Sequence, residues 1–299
     1  MTGSDPAASV IVPVYNDPAG LDRTLSALVS QTYPDYEVLV VDNGSTDDTP
    51  AVAADYESAH PRVTLLVEDD IQGSYAARNR GIEHAHGDVL AFVDADMTVE
   101  DDWLSSALRA MDRREAAYMG CRVEIIADRE TTVARYNQLS GFPVESYVRE
   151  HHYAPTCCLL VRRAVIEDVG PFDQTLVSGG DAEFGQRVHA AGYGIEYAPE
   201  VAMYHPARES LRALTKKYVR VGRGIYQRRP DDRPPRERAE RFARRCLPPN
   251  PITFRSRMRA RRADVPRSDL FAFYALDVLR KYSKTTGYLL EMAETRRLT

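Results

Sequence analysis

The sequence lacks a long apolar run. No stretch of about 18 uncharged apolar residues occurs among its 299 residues, so we expect no helix that crosses a membrane. Residues 1–8 contain one acidic and no basic residue and lack the charged and apolar parts of a signal peptide, so we expect no secretion signal. Together these absences favour a cytoplasmic protein, either free or peripheral on the inner face of the membrane.

Cysteine is also scarce. Only Cys121, Cys157, Cys158 and Cys246 occur, and the adjacent pair does not have the CxxC spacing of a metal site. We therefore expect all four to be small buried residues in a reducing cytosol. The 17 glycines and 18 prolines follow no fixed period, which excludes a collagen-like chain. A composition of 43% hydrophobic and 28% charged residues excludes a disordered one.

Three common active-site motifs are missing as well. There is no GxGxxG after the first predicted strand, no GxxxxGK[ST] and no GxSxG anywhere. These absences argue against a dinucleotide-binding Rossmann domain, a P-loop enzyme and an α/β-hydrolase.

Charge is distributed unevenly along the chain. Residues 1–204 hold 14 Lys and Arg against 34 Asp and Glu, whereas residues 205–262 hold 19 against 5. Such a basic segment often meets phosphate, so we expect residues 208–262 to contact an anionic membrane surface. A solvated cationic face that balances the acidic body is an equally good interpretation. No recognised nucleic-acid motif accompanies the arginines, so nucleic acid is not an expected partner.

The first part of the chain alternates short apolar runs with amphipathic stretches. Strands are predicted at 9–15, 36–41, 63–67 and 88–93, and helices at 48–56, 75–84 and 100–111. This alternation predicts an α/β fold with a mostly parallel, Rossmann-like sheet covered by helices on both faces. Ligands of such sheets bind at the carboxyl ends of the strands.

The later part is less regular. We predict a strand at 156–161, a helix at 181–191, short strands at 195–198 and 201–204, a basic amphipathic helix from 210, an extended segment at 229–251 and a last helix at about 269–293. The predicted domains are 1–206, with a nucleotide-binding half at about 1–97 and an acceptor half at about 98–206, and a basic helical region at 207–299 that contains a Pro/Arg-rich segment at about 229–262.

The fourth predicted strand ends in two carboxylates. Asp94 and Asp96 follow the apolar run and are separated by one residue, so both can reach a common ligand. Two hard oxygens suit Mn²⁺ or Mg²⁺ bound together with a substrate diphosphate. A pair that only caps the loop is the alternative.

Three other residues lie near predicted strand ends or helix starts at the same edge. Asp42 can accept hydrogen bonds from a base or ribose, although a plain strand–turn–helix corner is the favoured interpretation of this residue on its own. Pro13 cannot donate to the sheet, which indicates a backbone kept free near a ligand. Arg78 opens a helix after the third strand and is suited to a phosphate or base.

Two acidic residues start the helix at 181–191. Asp181 and Glu183 lie in its first turn, where the helix dipole stabilises negative charge and where a general base can be held near a sugar. His205 follows a short strand and can ligate a metal through a ring nitrogen, although a lone histidine is more often structural.

In order and spacing these motifs resemble the family 2 glycosyltransferases, which have the GT-A fold. The resemblance covers about residues 9–206 and rests on VPVYN at 12–16, VVDNGSTDDT at 40–49, AARNRGI at 76–82, FVDADM at 92–97 and VGPFDQTLVSGGDAEFGQRV at 169–188, followed by His205. It implies an inverting enzyme that uses a UDP- or GDP-sugar and Mn²⁺ or Mg²⁺.

The resemblance also implies roles for individual residues. The nucleotide-sugar site would be made by Pro13, Tyr15, Asp42, Arg78 and Asp94. The metal would be held by Asp96 and His205. Asp181 would be the catalytic base. The family commonly has Glu before that aspartate, and this chain has Gly180, so the pair Asp181 and Glu183 carries the hypothesis together.

Several functions stay open at this point. The acceptor is expected to be a hydroxyl of a glycan or of a lipid-linked glycan. One alternative is a polyprenyl-phosphate monosaccharide synthase, whose acceptor is the lipid phosphate. Another is a non-catalytic module that binds sugar nucleotides. A nucleotidyltransferase would need a Gly-rich loop after the first strand, which residues 14–18 do not provide.

Overall fold

The computed structural model describes residues 5–228, 234–260 and 266–298. The strands are β1 Ala8–Val14, β2 Tyr36–Asp42, β3 Val63–Val67, β4 Val89–Phe92, β5 Tyr118–Ile126, β6 Leu159–Arg162 and β7 Ile195–Pro206. The helices are α1 Pro18–Val29, α2 Thr49–Ala59, α3 Ser74–His84, α4 Trp103–Arg113, α5 Thr132–Ser140, α6 Val144–His151, α7 Arg163–Val169, α8 Gly180–Ala190, α9 Leu211–Gln227, α10 Pro235–Cys246, α11 Pro251–Ala260 and α12 Arg267–Leu298.

The seven strands form one sheet in the order β3-β2-β1-β4-β6-β5-β7. The first four strands in this order are parallel, whereas β6 runs antiparallel to both β4 and β5. Every residue of β1 is buried because this apolar, β-branched strand lies between β2 and β4 and is covered on both faces. The predicted α/β fold with a mostly parallel sheet is confirmed.

The chain divides into two compact units. The first comprises residues 5–124, 142–175 and 180–205 and contains most of the sheet. The second comprises residues 125–141 and 176–179 and the described residues from 206 onward. The two internal segments lie within the predicted first domain, yet they belong to the second unit.

The second unit is built around its own apolar core. Tyr136 of α5 is fully buried there, which explains why residues 125–141 join this unit. The buried members of this core are Tyr136, Leu214, Tyr218, Phe254, Met258, Phe273 and Leu276. The helix predicted from residue 210 is α9, capped by Ser210, whose side chain accepts from the backbone N–H of Ala213.

Three sequence-based expectations about local structure are wrong. Residues 229–251 were expected to be extended, but α10 begins at Pro235 and α11 at Pro251. Proline is favoured at the first position of a helix because the missing N–H has no partner there in any case. Residues 229–233 lie outside the described residues. The strand expected at 156–161 begins with a 3₁₀ turn, Thr156–Cys158. The two short strands at 195–204 are one continuous strand.

The cysteines are also only partly as expected. Cys121, Cys157 and Cys158 are buried free thiols, but Cys246 is exposed because it ends the solvent-facing helix α10. Burial raises the pKa of the Cys121 thiol, which keeps it in the unreactive protonated form. Among the described residues, no helix combines the length and apolar composition that a bilayer crossing requires.

Candidate active site

Asp42 is the last residue of β2 and ends at the carboxyl edge of the sheet. It is only 4% exposed, and its Oδ2 accepts a hydrogen bond from the Ser45 N–H at 3.1 Å. Its Oδ1 is buried and has no hydrogen-bond partner among the described residues. A buried carboxylate oxygen without a donor is costly, so this atom is suited to receive a donor from a ligand.

Asn43, the next residue, ties the loop after β3 to the end of β2. Its side-chain NH₂ donates to the carbonyls of Glu68 and Ile71 at 2.7 and 2.9 Å. Its Oδ1 accepts from the Gly73 N–H at 2.7 Å and from the Gln72 side chain at 3.0 Å. One buried amide therefore uses four hydrogen bonds to fix the loop that leads into α3.

The segment after β1 is held by a second asparagine. Asn16 has a left-handed backbone, with φ of 51°, and its Oδ1 accepts from the Thr46 N–H at 2.8 Å. Its own N–H donates to the Ser45 hydroxyl at 2.9 Å. Tyr15 lies beside it and is 51% exposed, so its ring is open to a ligand.

Pro13 lies where β1 passes the end of β4. The Val93 N–H donates to the Ile11 carbonyl, which is the last backbone hydrogen bond between the β4 segment and β1. Backbone groups two residues apart on a strand point the same way, so the missing N–H of Pro13 falls beyond that last bond. The proline therefore costs the sheet nothing at this edge.

Arg78 and Asp94 form an ion pair. Arg78 Nη2 donates to Asp94 Oδ1 at 2.5 Å, and the arginine side chain is 5% exposed whereas the aspartate is 36% exposed. Arg78 Nε is buried and has no acceptor among the described residues. The arginine thus orients Asp94 and keeps one further donor at the same place.

Asp96 and His205 are far apart in sequence and close in space. Thr98 and Tyr204 exchange two backbone hydrogen bonds of 2.9 Å each, an antiparallel bridge next to both residues. As a result Asp96 Oδ1 lies 3.9 Å from His205 Nε2. The His205 side chain is 5% exposed, and its ring packs at 5.3 Å from that of Phe142.

The donor atoms of this pair suit a divalent cation. Adjacent ligands at about 2.1 Å from an octahedral cation lie about 3.0 Å apart, so the two atoms, 3.9 Å apart here, would approach each other by about 0.9 Å on binding. No third Asp, Glu, His or Cys completes a metal set anywhere in the described parts of the chain. The remaining positions suit water and phosphate oxygens, which Mg²⁺ and Mn²⁺ accept readily.

Asp181 lies in the first turn of α8. Its Oδ1 accepts from the Ala182 N–H at 2.9 Å, and its own N–H donates to the Tyr75 hydroxyl at 3.3 Å. Burial, and then the charge of Asp181, raise the pKa of Tyr75, so this phenol stays protonated. Gly180 lies against the same ring, and a Cβ there would be 2.8 Å from it. Gly180, where the family commonly has Glu, therefore leaves the room that the Tyr75 ring occupies.

Asn79 connects α3 with the segment before α8. Its Oδ1 accepts from the Phe172 N–H at 3.0 Å, and its Nδ2 donates to the Phe172 carbonyl at 2.9 Å. The Phe172 ring contacts Tyr75 and Phe184, with ring centroids 5.8 and 4.6 Å apart. These contacts fix the helix that carries Asp181 relative to Tyr75.

Glu183 is engaged by an arginine. Its two carboxylate oxygens accept from Arg187 Nε and Nη2 at 2.9 and 3.1 Å. Arg187 also donates to the carbonyls of Gly170 and Pro171 at 2.9 and 2.7 Å. Glu183 therefore anchors the chain before α8, and this distinguishes it from Asp181.

Comparisons with known proteins show the family of this chain. A model of glycosyl transferase family 2 matches residues 9–170, more than half of the chain. The glycosyltransferase AglE of Haloferax volcanii is 41% identical over 230 residues, which cover 76% of this chain and 75% of AglE. The chain belongs to glycosyl transferase family 2. It is thus a glycosyltransferase, and the resemblance found in its motifs is confirmed.

Other proteins of known name or structure are similar to this glycosyltransferase. The pre-mycofactocin glycosyltransferase of Mycobacterium tuberculosis is 33% identical over 211 residues, which cover 68% of this chain and 43% of that protein. The mannosyltransferase PcManGT of Pyrobaculum calidifontis, solved with GDP-Man and Mn²⁺, has a TM-score of 0.66 at 20% identity and covers 97% of this chain and 88% of its own. S. aureus TarS 1-349, solved with UDP-GlcNAc, has a TM-score of 0.56 at 18% identity, with coverage of 97% and 91%. These structures share the fold.

Three residues of this region were missed by the sequence analysis. Asn43 and Asn79 were quoted only as members of motifs and Tyr75 only as part of a predicted helix, so none of the three was given a role. For Asn43 a signal was present, because a polar residue that directly follows a buried strand needs partners for its amide. The partners of Tyr75 and Asn79 lie about a hundred residues away in sequence, and no local pattern indicates them.

Proposed function

We propose that this enzyme is an inverting, metal-dependent glycosyltransferase that moves a sugar from a UDP- or GDP-sugar to a hydroxyl of a glycan or lipid-linked glycan. The observation that carries the proposal is the Asp96–His205 pair, whose facing atoms lie 3.9 Å apart. Asp96 follows Asp94 by two residues. A carboxylate and an imidazole at this spacing would hold Mn²⁺ or Mg²⁺. When bound, the cation would offset the negative charge of the donor diphosphate. PcManGT, which has the same fold, was solved with a nucleotide sugar and Mn²⁺.

The donor nucleoside would lie along the carboxyl ends of β1, β2 and β4. The buried Oδ1 of Asp42 would accept a hydrogen bond from the base or ribose, which supplies the donor that it lacks among the described residues. The exposed ring of Tyr15 would stack on the base. Asp94, oriented by Arg78, would bind the ribose hydroxyls.

The transfer would be a single displacement. The acceptor hydroxyl oxygen attacks the anomeric carbon from the face opposite the diphosphate, while the bond between that carbon and the diphosphate oxygen breaks. Asp181 takes the hydroxyl proton, and the nucleoside diphosphate leaves with the bonding electrons. The configuration at the anomeric carbon is therefore inverted. We assign the base role to Asp181 and not to Glu183, since both oxygens of Glu183 are used by Arg187.

A panel of nucleotide sugars tests the donor site. Purified enzyme is mixed with UDP-, GDP- and dTDP-sugars in the presence of Mn²⁺ or Mg²⁺, and the thermal shift and slow donor hydrolysis are both recorded. We expect one donor to give a metal-dependent shift and Asp42→Asn to weaken it. A folded enzyme that responds to no donor would contradict the proposal, and so would full activity in EDTA.

A second variant tests the base and the nature of the acceptor. Asp181→Asn should reduce transfer by about 10²–10⁴-fold and leave donor binding unchanged, because general-base catalysis is worth roughly that much. Glu183→Gln is the matched control, and we expect it to reduce stability more than turnover. A phosphate acceptor carries no proton that must be removed, so substantial activity in Asp181→Asn would favour the polyprenyl-phosphate synthase instead.

We also propose that the basic second unit attaches the enzyme to an anionic membrane. Arg212, Lys216 and Arg220 of α9 are exposed, and Leu247 and Ile252 are exposed apolar residues of the same unit, at 61% and 75%. A basic segment gains about 1 kcal/mol per charge near anionic lipid. Co-sedimentation with anionic vesicles at low salt should therefore exceed that with neutral vesicles. Equal sedimentation with both would contradict the attachment.

A further inference from the structure

The second unit contains a cavity that none of the predicted site residues lines. Its volume is about 280 Å³, and it lies between α11 and α12. Four of its lining side chains are cationic and one is a carboxylate: Arg257, Arg280, Lys281 and Lys284 surround Asp277. The cavity therefore has a large excess of positive charge.

The carboxylate in this cavity is fully used by its neighbours. Asp277 is 1% exposed, and its Oδ2 accepts from Arg257 Nη2 at 2.7 Å. Its Oδ1 accepts from the Tyr136 hydroxyl at 2.9 Å and pairs with Arg280 Nη2 at 2.6 Å. Asp277 therefore positions the two arginines, and the lysines are left without a carboxylate in the lining.

Several donors in the cavity have unmet hydrogen-bonding capacity. Arg280 Nε is buried and has no acceptor among the described residues. Within the same described part of the chain, neither Lys281 nor Lys284 forms an ion pair, and the Lys284 ammonium faces the Tyr218 ring at 5.1 Å. Burial, and then the charges of Arg280, Arg257 and Arg245, lower the pKa of Lys284 to about 8, although the charge of Asp277 acts in the opposite direction. An anion in the cavity would satisfy these donors and offset their repulsion.

We propose that this cavity binds a phosphate group, either as inorganic phosphate or as a terminal phosphate monoester. Arginine forks and lysine ammonium groups together form the usual protein partners of phosphate oxygens. The volume is at the lower end of small-molecule pockets, so it admits a phosphate group and excludes a whole nucleotide sugar. The Arg257 side chain is 40% exposed, so the cavity opens to solvent and a larger molecule can present its phosphate from outside.

Calorimetry with inorganic phosphate alone tests the site on the full chain. We expect wild-type enzyme to bind phosphate and the double variant Lys281→Gln, Lys284→Gln to bind it at least tenfold more weakly, since one charge-assisted hydrogen bond is worth that much. Lys216→Gln, an exposed lysine of α9, is the matched control and should bind as the wild type. Lys284→Arg should retain most of the affinity, which separates loss of charge from loss of fold.

The proton balance gives a second readout. At pH 8 about half of the Lys284 side chains are neutral, and bound phosphate favours the charged form. Binding at that pH should therefore take up protons, as seen by repeating the titration in buffers of different ionisation enthalpy. The uptake should disappear in the double variant. Unchanged phosphate affinity in the double variant would overturn the proposal.

Vesicles identify the source of the phosphate. Phosphatidic acid presents a monoester, whereas phosphatidylserine presents a diester, and the two are compared in neutral lipid at matched surface charge. A preference for phosphatidic acid that is lost in the double variant assigns the cavity to a lipid monoester; phosphate binding without such a preference assigns it to free phosphate. If the enzyme neither binds phosphate nor prefers phosphatidic acid, the proposal is overturned. Donor binding is measured on the same variants and should not change, so the result is independent of the proposed transferase activity.

Discussion

Gly180→Ala is the substitution for which the structure gives the sharpest expectation. The new Cβ would lie 2.8 Å from two atoms of the Tyr75 ring, closer than any normal contact. That ring cannot move aside easily, because Tyr75 is 6% exposed and packs against Phe172. Overpacking of this kind costs about 1–3 kcal/mol, whereas replacing glycine by alanine at the start of a helix gains about 0.5–1 kcal/mol. The net expectation is a loss of about 1–2 kcal/mol.

Urea denaturation measures this loss. The midpoint for Gly180→Ala should fall while the dependence of the unfolding free energy on urea stays constant. Gly194→Ala is the control, because a Cβ at Gly194 meets no atom within 4 Å. In a Tyr75→Ser background the overlap is removed, so Gly180→Ala should cost little or nothing there. An equal loss of stability from Gly180→Ala in both backgrounds, or no loss in either, would refute the explanation that the Tyr75 ring excludes a side chain at position 180.

The same variant has a catalytic consequence. Tyr75 accepts the Asp181 N–H, so a displaced ring also displaces the carboxylate that we propose as the base. A shift of about 1 Å at a reacting group can reduce turnover by roughly 10²-fold. We therefore expect turnover to fall and the dissociation constant of the donor to stay unchanged. Weaker donor binding with normal turnover would show that Asp181 is not the group affected.

Other predictions concern the metal pair, the loop after β3 and the cavity. Asp96→Ala should abolish the metal-dependent thermal shift with the donor, whereas a shift that persists would exclude Asp96 as a ligand. Asn43→Ala removes four hydrogen bonds, each worth about 1 kcal/mol net, so it should lower the free energy of unfolding by about 2–4 kcal/mol and weaken donor binding. Lys284→Met should stabilise the phosphate-free enzyme at pH 7 by up to about 3 kcal/mol, since the folded chain holds the Lys284 proton with a pKa of about 8, against 10.5 in the unfolded chain. The difference in the free energy of unfolding between this variant and the wild type should disappear as the pH rises from 8 to 10.5. A difference that does not depend on pH would contradict this prediction.

The first three strands of the chain could be predicted well from the sequence. β3 was predicted at its observed bounds, and β1 and β2 within one residue, because each is a short apolar run between turn residues. The placement of Asp42 and Asp94 at one edge followed from the rule that parallel strands end together. This rule needs only that the strands are parallel, which the alternation of strands and helices implies.

The later segments could not be predicted in the same way. β5, α5 and α6 occupy residues 118–151, where polar and aromatic residues follow no single period, and α5 is buried through contacts with α12 far along the chain. The prolines of the basic segment predict an extended chain by their number, although proline at a first helical position favours a helix instead. In the site, the Glu183–Arg187 pair was visible at i,i+4 spacing and was overlooked, whereas the Arg78–Asp94 pair depends on the folded sheet.

The backbone bridge between Thr98 and Tyr204 has a consequence for evolution. It holds Asp96 and His205, the metal ligands that we propose, close together although about a hundred residues separate them in the sequence. Changes within that stretch that keep this rung, and the Phe142 ring that packs against His205, should leave the geometry of Asp96 and His205 unchanged. The proposed metal pair is thereby insulated from changes elsewhere in the predicted acceptor half. A lineage can therefore alter residues of that half without rebuilding the pair.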